Sequence, residues 1–230
     1  MEDCDAMMQR ANERWKFAND PWPAPKLAKA VRFLGRNANH STEDANAETV
    51  LSEAGIKCCC EVRPLYDFLF GRIADCLGEP AFYGSTLPQS LDTAKCITPG
   101  KPLTANGLLD SQIEIERAPR KLLPDEWQRA GLQPIYPDAI ELFIKHSELW
   151  VHQRVQLVQE RILEWIMEDL HVGFKVGWTQ GIAISLVAQY FLEDHLSAVH
   201  LRQCEGFLFY LTEHGGIQHV QPVEFLHFDI

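Results

Sequence analysis

The 230-residue chain has 32 acidic against 21 basic residues, a formal charge of −11, and is 46% hydrophobic and 23% charged. This mixture excludes an intrinsically disordered chain and supplies apolar surface for a sizeable core, while the negative charge disfavours general nucleic-acid binding, which depends on Lys and Arg displacing counterions. No uninterrupted apolar run approaches the ~20 residues of a spanning helix, and the acidic start Met1-Glu2-Asp3-Cys4-Asp5 is unlike a secretory signal, so a cytoplasmic protein is expected.

From the N-terminus, residues 4–18 place Met7, Met8, Ala11 and Trp15 at helical spacing, and the proline-rich stretch around Trp22 ends that helix. A second helix is expected over Pro25–Arg36. A third opens at Ser41 and stops at Gly55. Ile56–Val62 reads as a short strand containing Cys58-Cys59-Cys60. The seven cysteines are expected as reduced thiols, because consecutive strand residues face opposite ways and cannot easily pair. A helix then starts at Pro64 and ends at Gly78.

Between Pro80 and Pro137, eight of the thirteen prolines predict a long irregular connection with one strand, Gln112–Arg117, and one short helix, Asp125–Arg129. The remainder predicts a long helix over Asp138–His171, a loop at Gly173–Gly177 and a helix over Gln180–Leu192 capped by Thr179. A further helix is expected from Ser197 to His214, stopped by Gly215-Gly216, and then a final strand over Val223–Ile230. The implied fold is mainly α within the α+β class: a helical C-terminal half and a small sheet of sequence-distant strands. It forms a single domain over residues 1–230, with an N-terminal helical lobe (1–79), a Pro/Gly-rich connection (80–137) and a C-terminal lobe (138–230).

Residues 121–230 carry seven bases against fifteen acids. That asymmetry steers association with a basic surface. The leading expectation is therefore an acidic cytosolic binding protein of inhibitor, immunity or adaptor type, using Glu160, Glu193, Asp194, Glu205 and Glu213 against a basic protein partner. The alternative starts from eight of the nine histidines lying in the final 85 residues. Glu160, Glu164, Glu168 and His171 share a sector of one helix, and Glu168/His171 has the i, i+3 spacing of carboxylate–imidazole metal ligands. A non-haem iron or zinc enzyme would draw its ligands from Glu164, Glu168, His171, His195 and His200. Against it, the apolar stripe Val151, Val155, Val158, Ile162, Trp165 and Ile166 lies roughly opposite these acids, which leaves the carboxylates in water. His200, Cys204, Phe207, Leu211 and His214 also share a helical face, which favours a buried thiol over a ligand. No nucleophile elbow, P-loop or paired Cys-x-x-Cys occurs.

Overall fold

The first element among the described residues is a strand, not the helix expected over Pro25–Arg36. In β1 (Ala30–Arg36), six of seven residues are buried. Val31 and Phe33 face one hydrophobic layer, and Ala30 and Leu34 the other. Burial on both sides is the mark of a central strand of a largely parallel sheet. The computed structural model describes residues 28–39, 51–110, 149–191 and 201–224. In chain order, β1 is followed by α1 (Glu53–Leu77), β2 (Ala81–Gly84), α2 (Pro88–Ile97), β3 (Leu103–Ala105) and a 3-10 turn at Gly107–Asp110. Then come α3 (Leu149–Met167), β4 (Phe174–Thr179), α4 (Gly181–Phe191), β5 (Gly206–Leu211) and β6 (Ile217–Val223).

The six strands form one mixed sheet in the order β3-β2-β4-β1-β5-β6. The pairs β3/β2, β2/β4 and β4/β1 are parallel, whereas β5 is antiparallel to both β1 and β6. Helices α1 and α2 pack on one face, where Phe33 meets Tyr66, Phe70 and Trp178 edge-on. Helices α3 and α4 cover the other. This α/β sandwich corrects the expected mainly helical α+β fold, whose helical C-terminal half instead contributes three of the six strands. No described helix is long and apolar enough to cross a membrane.

The misread segments have local causes. Cys58-Cys59-Cys60 lies inside α1, which begins earlier than expected because Ser52 caps it: its hydroxyl accepts the Gly55 N–H at 3.1 Å. Gly55 is therefore a first-turn residue, not a helix stop. A side chain there would press on the Asn39 carbonyl, 2.2 Å from an added Cβ. The expected loop Gly173–Gly177 is mostly β4, in which Gly177 has no side chain because the Trp165 ring would lie 2.8 Å from its Cβ. The expected helix Ser197–His214 is replaced, over its described part, mainly by β5, and Gly215-Gly216 turns the β5–β6 hairpin. The segments predicted over 4–18, Gln112–Arg117 and Asp125–Arg129 lie outside the described residues, as does Val223–Ile230 beyond residue 224.

Two adjacent cations are buried in the sheet. Arg32 on β1 and Lys175 on β4 are register partners and almost fully inaccessible. Arg32 donates to the carbonyls of Ile166, Glu168, Asp169 and Val172, and Lys175 to that of Glu168. They thus satisfy the carboxyl end of α3, whose dipole favours positive charge. The Asp169 and Glu168 carboxylates stand 3.8 and 4.0 Å from the Lys175 ammonium, and the Tyr83 and Trp165 rings lie 5.6 and 5.5 Å from it. Burial still pushes Arg32 down to about 10 and lowers Lys175 as well.

Two predictions follow from this packing. Arg32→Met strands several buried carbonyls and should lower stability by about 3 kcal/mol in urea titrations, whereas a loss under about 0.5 kcal/mol would contradict the capping role. Burial raises the Tyr66 hydroxyl well above its ordinary 10.0. Above pH 10 the unfolded chain loses that proton while the folded chain keeps it, so stability falls as pH rises. The stability advantage of wild type over Tyr66→Phe should therefore narrow between pH 8 and 11, and a constant gap would contradict this.

Candidate functional site

After β1 the chain leaves along one face through α1, and after β4 it leaves along the other through α4. In an open α/β sheet such diverging connections open a crevice outside the carboxyl ends of the two strands, the usual ligand position. Here that position lies between β1 and β4, paired from Val31↔Phe174 to Arg36↔Thr179.

Three elements bring polar groups to this edge. Arg36 closes β1, and its main-chain N–H donates to the Glu205 carbonyl at 2.7 Å. Its side chain lies across the start of α4, where an added Cβ on Gly181 would come within 2.8 Å of Arg36 Cδ. A guanidinium is thereby held beside the positive end of a helix dipole, an arrangement that an anion would relieve. The Arg36 Nη1 also donates to the Leu201 carbonyl.

Asn37 follows. Its backbone N–H donates to the Thr179 carbonyl at 2.9 Å. Its side chain is only 7% exposed, yet neither carboxamide atom has a hydrogen-bond partner. A buried, unpaired carboxamide costs about 1–3 kcal/mol, so its presence calls for an explanation.

From β2, the Ser85 N–H reaches the Trp178 carbonyl at 2.9 Å, and its hydroxyl donates to Ser90 Oγ at 2.6 Å. Thr86 donates both its N–H and its hydroxyl to the Asp110 carboxylate. Gln89, buried in the first turn of α2, accepts the Thr93 hydroxyl at its carbonyl, and Thr93 Oγ1 in turn accepts the Ala38 N–H at 3.1 Å. Thr179 is the last residue of β4 and donates its hydroxyl to the Leu109 carbonyl, so it does not cap α4 as expected. Gln180 follows it, half-buried, and its carbonyl accepts the Ile184 N–H.

Of the residues singled out from sequence, three of the five candidate metal ligands are described. Glu164, Glu168 and His171 are exposed along the end of α3 and just beyond it, and His195 and His200 lie outside the described residues. No group of three His, Cys, Asp or Glu among the described residues could hold a metal ion. Of the acids assigned to a partner surface, Glu160 and Glu213 are exposed and Glu193 and Asp194 lie outside the described residues. Glu205 is buried and accepts the Arg202 N–H at 2.6 Å. Arg36, Asn37 and Gln89 were missed because their segments read as a helix and an irregular connection. The available signal was a short β-branched and aromatic run ending in polar residues.

No protein-family model matches the sequence, and no curated protein matches it. Solved structures do share the fold. A phosphoserine phosphatase from Entamoeba histolytica, in complex with 3-phosphoglyceric acid, is 15% identical with a TM-score of 0.50, covering 86% of this chain and 100% of its own. A phosphoglycerate mutase from Bacillus anthracis is 14% identical with a TM-score of 0.51, covering 86% and 94%. A putative alpha-ribazole-5'-P phosphatase from Escherichia coli K-12 is 11% identical with a TM-score of 0.51, covering 84% and 94%. This likeness corrects the expected acidic inhibitor, immunity or adaptor protein and its iron- or zinc-enzyme alternative: the architecture is that of phosphatases and mutases.

If the Asn37 carboxamide is kept for a ligand, removing it should stabilise the empty protein. Asn37→Leu, close in shape and without polar atoms, should raise the unfolding free energy by about 1 kcal/mol in denaturant titrations, and a loss of that size would show that the amide is structurally satisfied.

Proposed function

We propose that this chain is a phosphatase-fold protein that recognises phosphate monoesters at the carboxyl ends of β1, β2 and β4. The observation that carries the reading is the unpaired, buried Asn37 carboxamide beside Arg36 and the amino end of α4. A guanidinium can meet two phosphate oxygens at once, a carboxamide N–H adds a neutral donor, and the helix end adds free backbone N–H groups. The three named solved structures supply independent support, since each bears the name of an enzyme acting on a phosphate ester. The free thiols of Cys58, Cys59 and Cys204 suit the reducing, cytoplasmic setting expected from the sequence.

The chemistry selects the phosphoryl group first. With the whole chain at −11, a dianion meets an unfavourable long-range field, and local donors must outweigh it. Binding should therefore be selective for the esterified phosphate over its parent alcohol. The test is calorimetric titration and thermal unfolding with O-phosphoserine and 3-phosphoglycerate beside serine and glycerate. The phosphorylated pair should bind and raise the unfolding temperature, and Arg36→Met should weaken binding by about tenfold or more, the loss of a charge-assisted hydrogen bond. Equal responses to serine and phosphoserine would refute the reading.

A further inference from the structure

From the groups that line the strand ends, we infer that this site holds its phosphate ester without cleaving it, so that the protein acts as a receptor for a phosphorylated small molecule. The inference rests on the phosphate-monoester reading above and adds the fate of the ligand. Breaking a P–O ester bond needs an attacking atom at phosphorus and a proton for the departing alcohol, and both come from groups whose protonation can change near neutral pH. Three carboxamide residues follow the strand ends: Asn37 after β1, Gln89 in the first turn of α2 and Gln180 after β4. A carboxamide donates and accepts hydrogen bonds but neither takes nor releases a proton in this range, and its nitrogen is not a nucleophile.

The hydroxyls are committed. Ser85 donates to Ser90, Thr179 to the Leu109 carbonyl, and Thr86 to Asp110. The last pair is the nearest approach to a nucleophile with a base. There, however, the carboxylate takes the Thr86 N–H as well as the hydroxyl, in an exposed position, so it pins the loop after β2. Arg36 stays protonated throughout and serves as a fixed charge.

Three of the four imidazoles among the described residues sit elsewhere, and the fourth, His152, points to water. His171 immediately precedes the Gly173–Phe174 entry to β4, His214 lies in the β5–β6 turn, and His219 is the partner of Tyr210, which pairs with Val31 near the start of β1. These three belong to the opposite edge of the sheet. His152 is exposed on the first turn of α3. Among the described residues, a site built of neutral donors and one permanent cation is suited to retention: it stabilises the phosphoryl oxygens and offers no imidazole to hand a proton to the leaving oxygen.

A pH signature follows. Glu205 is the carboxylate beside Arg36, and it is buried and accepts the Arg202 N–H at 2.6 Å; with it held by that contact, affinity should track the second ionisation of the ester itself, near pH 6, rising as the dianion forms and then staying level to about pH 9.

The experiment uses the full chain, so that histidines outside the described residues are present. Calorimetry measures binding of O-phosphoserine and 3-phosphoglycerate between pH 5 and 9, and phosphorus NMR of the same samples over a day measures released inorganic phosphate. Saturable binding with a single inflection near pH 6, weakened at least tenfold in Asn37→Leu and accompanied by no phosphate release beyond that of protein-free buffer, supports the inference. Phosphate release that scales with protein concentration and is lost in Asn37→Leu or Arg36→Met overturns it while leaving the phosphate-monoester reading intact. Absence of binding to either ester at every pH overturns that reading, and the inference falls with it.

Discussion

The parallel pairing of β1 with β4 is the constraint on which the rest of the molecule depends. It joins residues 143 positions apart in sequence, since 179 − 36 = 143 for Arg36 and its partner Thr179. Because the two strands run the same way, their carboxyl ends come out at one edge. Helix α1, which follows β1, packs on one face, and α4, which follows β4, on the other, so the two strand ends lie where successive helices diverge. A one-residue slip would turn Phe33 and Trp178 out of one hydrophobic layer, so the register is fixed by the core, and the positions of Arg36 and Asn37 are fixed with it.

The two edges of the sheet use helix ends in opposite electrical senses. At the amino edge, the carboxyl end of α3 is negative, and two buried cations meet its carbonyls. That is an unusual interior for a sheet, made tolerable by the number of carbonyls Arg32 reaches and by the rings flanking Lys175. At the carboxyl edge, the amino end of α4 is positive, and the side chain laid against it is another cation, Arg36. The first arrangement is internally neutralised. The second sets a guanidinium and a helix amino end next to an unpaired carboxamide.

Part of this was legible in the sequence. The apolar stripe Val158, Ile162, Trp165 and Ile166 does lie in the core, and the turn from Gln180 into the next helix is where α4 begins. The central strands were not legible, for a physical reason. Ala30–Arg36 and Phe174–Thr179 are short, buried on both faces and lack the two-residue alternation that marks a half-exposed strand, so proline and glycine cues nearby outweighed them. The run Gly206–Leu211 fits a buried helix turn or a buried strand equally well until its partners are known. Read as a helix, β1 puts Arg36 and Asn37 at the surface, and the acidic and histidine-rich composition of the later residues points to side chains of which Glu160, Glu164, Glu168, His171 and Glu213 are exposed and Glu205 is buried.

The account stands on the Asn37 carboxamide being a ligand donor. The most direct measurement is a nitrogen–proton correlation spectrum in which the Asn37 side-chain NH2 pair is assigned and followed while O-phosphoserine is added, with serine as the control. The account predicts a saturable shift of that pair with the phosphate ester and none with serine; an Asn37 amide that stays unmoved while the protein binds the ester elsewhere would contradict it.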